Sequence, residues 1–306
     1  MNAQLRAVLP SRFSQAPSPN LVPIRAARVH RLRRLRLEAA TPPLDLARPG
    51  VLQLQAGQAT LLAHDWSLPL EPGAVLVCDG RERLSLRAGP DGALLLCGWP
   101  DPLALPPSAG RSEPQRSALL ALLHPPGSRL ARLMQGLAAE LGGADVAELH
   151  GRRGQAWLEA VLAVQGEHEP AIARCHGRTR ARRRDLYVRL SRTRALLAAP
   201  GCDGPDVATL ARIARLSTSH YVRLFHQVFG EPPHRLRSRL RMERARDLLL
   251  EGRLPIAAIL WQAGYTSHSC FARAFRQHFG CSATEMKGSA LTGSSARSRA
   301  GTARSA

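Results

Sequence analysis

The sequence predicts an α+β fold in two domains: a β-rich N-terminal domain followed by helices, and an all-α C-terminal domain. Three observations lead to this prediction. The chain has 306 residues, which is more than one compact domain usually needs. Short apolar runs separated by turn residues fill much of its first third, and a helical pattern near the C-terminus recurs after 50 residues.

The β-rich region extends from about Pro42 to Trp99. Apolar runs such as Val51–Leu54, Ala74–Cys78 and Ala93–Cys97 have the length of strands. Turn-forming Pro, Gly and Asp residues interrupt the region at Pro49-Gly50, Glu71-Pro72-Gly73, Asp79-Gly80 and Gly89-Pro90-Asp91-Gly92. Strands at this spacing predict a barrel or a sandwich.

Helices follow the strands. Apolar residues at helical intervals predict helices at Ala118–Leu123, Leu130–Leu141 and Ala156–Val164, after a proline-rich stretch at 100–107. The arginine-dense run Arg174–Arg184 has no apolar period, and we interpret it as an interdomain linker.

These features set the expected domain boundaries. We place a disordered leader at 1–20, a β-rich domain at 21–110, a helical region with the arginine-rich linker at 111–181, the all-α domain at 182–288 and a disordered tail at 289–306. The basic, acid-poor segment Arg25–Arg36 leaves open a transit peptide or a nucleic-acid-binding arm, but we favour a solvated leader.

The charge of the chain is strongly positive and unevenly distributed. The formal net charge is +20, almost all of it from arginine. Residues 174–287 include 22 basic and 8 acidic residues, against 21 and 15 in the rest of the chain. A general preference for arginine would spread this charge evenly. Its concentration therefore indicates a polyanionic partner for the C-terminal region.

Cysteine usage and hydropathy indicate a soluble protein of a reducing compartment. The six cysteines form no CxxC pair or compact framework, so we expect buried or free thiols. A zinc site or redox switch made by Cys175, His176 and Cys202 is the alternative, although its spacing fits no common metal pattern. No apolar run approaches the roughly 18 residues that span a bilayer, and we expect no membrane partner.

The C-terminal repeat is the most specific signal in the sequence. Seven residues of one segment recur 50 positions later: Pro205, Ser217, Arg223, Phe225, Gln227, Phe229 and Gly230 become Pro255, Ser267, Arg273, Phe275, Gln277, Phe279 and Gly280. Such a repeat predicts two copies of one supersecondary unit, at about 205–230 and 255–280.

Each copy reads as a helix-turn-helix. In the first copy an apolar face ends at Leu216-Ser217, where Ser217 or Ser219 can cap a second helix with a buried aromatic stripe. In the second copy Pro255 suits the first turn of the first helix, and Gly264 opens the turn between the helices. A long helix at Pro233–Leu250, rich in arginine, is expected to join the copies.

The exposed positions of each second helix are the candidate groove-reading residues. They are Ser219, His220, Val222 and Arg223 in the first copy, and His268, Ser269, Ala272 and Arg273 in the second. Arginine can read guanine through two hydrogen bonds. The alternative for Arg223 and Arg273 is a surface ion pair with a neighbouring carboxylate, and for the six arginines of the connecting helix it is a solvated face.

From Leu186 to Lys287 the sequence resembles the AraC/XylS family of transcription regulators. The matching segments are Leu210-Ala-Arg-Ile-Ala, Ser219-His-Tyr-Val-Arg-Leu-Phe, Arg241-Met-Glu-Arg-Ala-Arg, Gly264-Tyr and Phe271-Ala-Arg-Ala-Phe, with Phe-Gly at 229 and 279. The resemblance implies that the helices Thr218–Phe229 and His268–Phe279 enter successive major grooves, with Arg223 and Arg273 contacting DNA. The departures are Cys281-Ser-Ala-Thr-Glu-Met after the second copy, and the small Ser219 and apolar Val222.

The β-rich region is similar to the cupin-like sensor domains that often precede this unit, especially at 70–76 and Asp79-Gly80. Metal-dependent cupins need clustered histidines, whereas His30 and His64 are isolated. We therefore expect no metal, cofactor or catalytic residue and no enzyme activity. The charged run 81–83 leaves open a polar ligand or a solvated surface.

The sequence therefore predicts a cytoplasmic, nucleoid-associated transcription regulator that binds promoter DNA at specific sequences. A sequence-tolerant basic architectural protein is the alternative, since net charge alone would suffice for it. A small-molecule effector, a homodimer and RNA polymerase are left open as partners. The residues that would bind an effector, the operator and the direction of regulation are not predicted.

Overall fold

The computed structural model describes residues 30–101, 105, 119–142, 144–199 and 204–288. The chain packs as two compact units. The first runs to Ala195 and includes Ile213–Arg215, and the second comprises Leu196–Arg212 and the chain from Leu216 onward. The leader expected at 1–20 and the tail expected at 289–306 lie outside the described residues, as does most of the proline-rich stretch. The solvated leader favoured at Arg25–Arg36 is wrong from His30 onward, because His30–Leu37 is a strand in which Leu32 is buried.

An antiparallel sheet forms the centre of the first unit. Its strands are β1 (His30–Leu37), β2 (Leu44–Asp45), β3 (Pro49–Leu62), β4 (Ser67–Leu70), β5 (Val75–Asp79), β6 (Ser85–Trp99), β7 (Leu123–His124) and β8 (Val146–Leu149). The order is β7-β5-β3-β6-β1-β8, with β2 paired to β6 and β4 paired to β3. The α+β class is confirmed, but the strands form an open path and not a closed barrel, the architecture that the cupin-like resemblance implied. Its outermost strands, β7 and β8, are only two and four residues long.

The two longest strands, β3 and β6, correct two turn predictions. Pro49-Gly50 begins β3, and Gly89–Gly92 lies inside β6 instead of ending it. The glycines serve a bulge, because the register shifts between Gly57 and Ala59 where β3 pairs with β6. Gly57 has a φ of 81°, and a Cβ atom there would lie 2.2 Å from the carbonyl oxygen of Gly92. Turn-forming residues therefore mark a bent strand pair here.

The first unit also contains helices. They are α1 (Arg129–Glu140), α2 (Gly151–Gly166), α3 (Glu169–Ala173) and α4 (Arg180–Ala198). Leu130, Met134 and Leu158 are buried in one cluster with the strand residues Val51 and Leu96. The helices predicted at 130–141 and 156–164 are thus confirmed.

Two other predictions in this region are wrong. Residues 119–122 are not helical, and Leu123–His124 forms β7 because Leu123 pairs with Leu76 of β5. The predicted linker Arg174–Arg184 is partly helical, since α4 begins at Arg180. The first error arises because an apolar run as short as Ala118–Leu123 fits an edge strand and a helix equally well, and only the pairing with β5 decides between them.

The C-terminal part of the chain is all-α, as predicted. Its helices are α5 (Val207–Ile213), α6 (Thr218–Phe229), α7 (Pro233–Glu251), α8 (Ile256–Gln262) and α9 (His268–Phe279). Proline at the start of α7 and left-handed Gly252 (φ 71°) after it fix the ends of this long helix. No helix among the described residues has the length and apolar character needed to cross a membrane.

Candidate nucleic-acid interface

The inward faces of α6 and α9 are built alike. Tyr221, Phe225, Phe271 and Phe275 are all 0% exposed. The ring centroids of Tyr221 and Phe225 lie 5.6 Å apart, and those of Phe271 and Phe275 also lie 5.6 Å apart. Each stripe continues to a phenylalanine 4.7 Å farther on, Phe229 or Phe279. The repeat in the sequence is therefore a repeat of packing.

The turns that precede the two helices differ by one residue. In the first copy the left-handed residue is Arg215 (φ 57°), whereas in the second it is Gly264 (φ 73°). The backbone nitrogen after each donates to a carbonyl five residues earlier, at 2.9 Å in the first copy and 3.1 Å in the second. Gly264 stands 49 positions after Arg215, whereas the helices α6 and α9 are offset by 50. The second turn thus has one additional residue.

The ends of α6 and α9 have the same geometry. Ser217 and Ser267 are the N-cap residues, but neither side chain makes a capping hydrogen bond. Of the two predicted candidates, Ser217 and Ser219, Ser217 thus occupies the N-cap position, but its side chain does not make the expected hydrogen bond. The C-cap glycines, Gly230 and Gly280, are left-handed, and each N–H donates at 2.8 Å to the carbonyl four residues before it.

The groove-reading candidates occupy the outer faces of these helices. Ser219, Arg223, His268, Ser269, Ala272 and Arg273 are exposed, whereas His220 and Val222 are half-buried. The side chains of Gln227 and Gln277, one turn beyond the arginines, are also exposed. These glutamines are not among the groove-reading residues that the sequence predicts, although the repeat contains both of them.

The side chains of Arg223 and Arg273 carry positive charges that no described neighbour neutralises. Within the part of the chain that the structure describes, neither guanidinium forms an ion pair or a hydrogen bond. The alternative of a surface pair with a neighbouring carboxylate therefore gains no support. Both positive charges are available to an anionic partner.

The arginines of α7 divide into two groups. Arg239 is held by Glu231 at 2.6 Å and by Glu243 at 2.9 Å, and these hydrogen bonds raise its pKa. Arg237 donates to the carbonyl of Pro205, and burial lowers its pKa. Arg235 and Arg244 are exposed. Part of this charge thus holds the fold together.

The first unit presents no metal site in its described residues, where no cluster of three His, Cys, Asp or Glu side chains occurs. His30 is buried, its Nδ1 accepts a hydrogen bond from the backbone of Asp101 at 3.2 Å, and desolvation lowers its pKa. His64 is exposed. Burial raises the pKa of the Cys175 thiol to about 11, and Cys202 lies outside the described residues.

Two of the three residues in the charged run 81–83 form ion pairs within the first unit. Arg81 pairs with Asp79 at 3.6 Å. Glu82 pairs with Arg192 of α4, whose guanidinium lies 4.9 Å from the ring of Trp66. Arg83 is exposed. Glu82 therefore holds α4 against the sheet within the first unit.

Two helix-turn-helix units joined by one long helix define a double helix-turn-helix DNA-binding domain. Residues 210–289 match the family model described as "Helix-turn-helix domain". The chain is 35% identical over 81 residues to the RCS-specific HTH-type transcriptional activator RclR of Escherichia coli, covering 26% of this chain and 28% of that protein. It is 31% identical over 84 residues to the virulence regulon transcriptional activator VirF of Yersinia enterocolitica, covering 28% and 31%. The C-terminal part of the chain is therefore an AraC-type helix-turn-helix domain, as its sequence indicated.

Solved structures resemble the chain over different spans. An AraC-type regulator of Chromobacterium violaceum is 26% identical over 33% of this chain and 91% of its own, with a TM-score of 0.32. ToxT of Vibrio cholerae is 11% identical over 86% of this chain and 97% of its own, with a TM-score of 0.29. The chain spans about a third or less of the length of the curated relatives named above.

Proposed function

We propose that the protein is a transcription regulator that binds promoter DNA at specific sequences through residues 182–288 and responds to an effector through its N-terminal domain. The observation that carries the DNA-binding part is the pair of equivalent helices, α6 and α9, each with an exposed arginine on the face opposite its aromatic stripe. Arginine in the major groove discriminates guanine by two hydrogen bonds. Both curated relatives described above are named as transcriptional activators.

The length of α7 suits two successive grooves. Its 19 residues, at a rise of about 1.5 Å each, span about 28 Å. Successive major grooves on one face of DNA are about 34 Å apart. Recognition helices near the two ends of α7 can therefore enter neighbouring grooves of one duplex, with exposed arginines of α7 available for phosphates.

A salt series separates this function from a sequence-tolerant architectural one. The full chain is mixed with DNA from upstream of its own and neighbouring genes, in the presence of random competitor DNA. We expect one fragment to bind at least about 1,000-fold more tightly than the competitor at physiological salt. If all DNA binds alike and moderate salt abolishes binding, the architectural function replaces the regulatory one.

The effector response is proposed to act through α4. Most of this helix belongs to the first unit, and its last residues, from Leu196, belong to the second unit. Arg192, paired with Glu82 and stacked on Trp66, fixes α4 to the sheet. An effector that alters this attachment would change how the DNA-binding helices are presented.

Promoter occupancy in cells tests the effector response. We expect the wild-type chain to change occupancy under at least one growth condition, and Arg192→Ala to retain DNA affinity in vitro while losing that change. If occupancy never varies with growth condition, the proposed effector response is wrong. If Arg192→Ala responds as the wild-type chain does, the proposed role of α4 in that response is wrong. Two partners that the sequence leaves open have their own tests. Light scattering of the chain with and without its operator tests for a homodimer, and co-purification on promoter DNA tests for RNA polymerase.

A further inference from the structure

We propose that α6 and α9 read the same base sequence, so that the operator contains two copies of one short box. This inference rests on the proposed function, because it specifies what the DNA-binding helices recognise. Two recognition helices in one chain need not read alike. The evidence that these do comes from their outer faces and from the way each face is held.

One line of residues along the outer face of each helix carries the same residue types at the same positions. Ser219, Arg223 and Gln227 in α6 correspond to Ser269, Arg273 and Gln277 in α9, and all six are exposed. Residues at four-residue intervals form one line along a helix, with about 6 Å between successive members. Beside each line lies an apolar side chain, Val222 or Ala272, of the kind that packs against a thymine methyl group.

The differences between the helices lie beside this line. α9 has His268, Cys270, Arg276 and His278 where α6 has Thr218, His220, His226 and Val228. The exposed Arg276 adds a positive charge where α6 has His226, so it suits a phosphate on a wall of the groove. We therefore expect α9 to contribute more of the sequence-independent affinity, without changing which bases are read.

The packing of each helix also fixes the direction in which its Ser-Arg-Gln line faces. Phe225 and Phe275 are 0% exposed, and each lies 4.7 Å from the next ring of its stripe. Both helices end at left-handed glycines with capping bonds of 2.8 Å. Because each helix is fixed by the same inner stripe and the same end, its Ser-Arg-Gln line occupies the same face.

The chemistry of the line defines the box. Arginine selects guanine, and glutamine selects adenine through the N6 and N7 atoms. A separation of about 6 Å along the helix corresponds to about two base pairs at a rise of about 3.4 Å. Each box should therefore contain a guanine and an adenine about two base pairs apart, and the boxes should lie about one helical turn, or about 10 base pairs, apart.

Selection from randomised duplexes by the full chain tests this inference. We expect the enriched sequences to contain two copies of one box about 10 base pairs apart. Replacing either copy by the other should change the affinity less than about threefold, whereas scrambling either copy should weaken binding more than about tenfold.

Matched variants assign each box to its helix. Arg223→Ala should abolish the guanine preference in one copy, and Arg273→Ala should abolish the same preference in the other. Gln227→Ala and Gln277→Ala should each reduce adenine discrimination about tenfold in a single copy. Two enriched boxes that differ at these bases, or a single box, would overturn this inference and leave the proposed function intact. No enrichment at all would overturn both.

Discussion

Arg215 offers a test of how the first helix-turn-helix turn is built. Its φ of 57° places it in the left-handed region, where Gly264 stands in the second copy. A residue with a Cβ atom is less stable there by about 1–2 kcal/mol. Glycine removes that strain, but its greater freedom in the unfolded chain offsets roughly 0.5–1 kcal/mol. Arg215→Gly should therefore raise the free energy of unfolding by about 0.5–1 kcal/mol.

Urea unfolding of the full chain, followed by circular dichroism, measures this change. Arg215→Ala is the matched control, because it removes the charge and keeps the Cβ atom, and it should give no gain. Gly264→Ala should instead lower the free energy of unfolding by about 1–2 kcal/mol, since its Cβ would be strained and would lie 3.0 Å from Cζ of Arg241. If Arg215→Ala stabilises as much as Arg215→Gly, charge repulsion and not backbone strain is the cause.

Three further predictions concern other parts of the molecule. Phe225→Ala and Phe275→Ala should each lower the free energy of unfolding by about 3–5 kcal/mol in urea, because both rings are fully buried. Burial, with a smaller contribution from His168, lowers the pKa of the His124 imidazole from 6.5 to about 4. The free energy of unfolding should therefore fall by up to about 3 kcal/mol as the pH drops from 6.5 towards 4, because the unfolded chain binds the proton more readily. Urea midpoints measured across this pH range test the change. Maleimide alkylation of Cys270, exposed on α9, should block DNA binding, and operator DNA should slow the alkylation.

Each of these predictions has a control. A loss below about 1 kcal/mol at either phenylalanine would mean that the two stripes are not equivalent cores. His124→Gln should flatten the acid dependence, and an unchanged slope would place the titrating group elsewhere. Cys270→Ser should bind DNA with the same affinity before and after treatment with maleimide. Continued DNA binding by wild-type chain alkylated at Cys270 would remove α9 from the interface.

The sequence predicted the C-terminal helices closely because their signals are local. The bounds that the family resemblance implied, Thr218–Phe229 and His268–Phe279, agree with the structure, and the aromatic stripe and terminal glycine predicted from the residues lie within them. The same helical period predicted which residues lie on the outer face of each helix, opposite the aromatic stripe. The left-handed Arg215 could not be predicted, because nothing in its residue type requires a positive φ.

The first unit was harder to predict because its signals depend on distant residues. Gly89–Gly92 resembles a turn, but its partners in β3 carry the strand through it as a bulge. Leu123 joins β5, which is 47 residues earlier in the chain, and no helical or strand period distinguishes so short a run. Whether the sheet closes into a barrel likewise depends on which strands lie at its ends.

Affinity of arginine variants for cognate and random DNA tests the central claim most directly. Arg223→Ala and Arg273→Ala are compared with Arg244→Ala, an exposed arginine of α7, at one fixed salt concentration. The two reading-helix variants should lose about 1–3 kcal/mol at the cognate site and much less on random DNA, whereas Arg244→Ala should weaken both DNAs by similar small amounts. Equal losses of the reading-helix variants on both DNAs would show that Arg223 and Arg273 contact only phosphates, and would contradict sequence reading by α6 and α9.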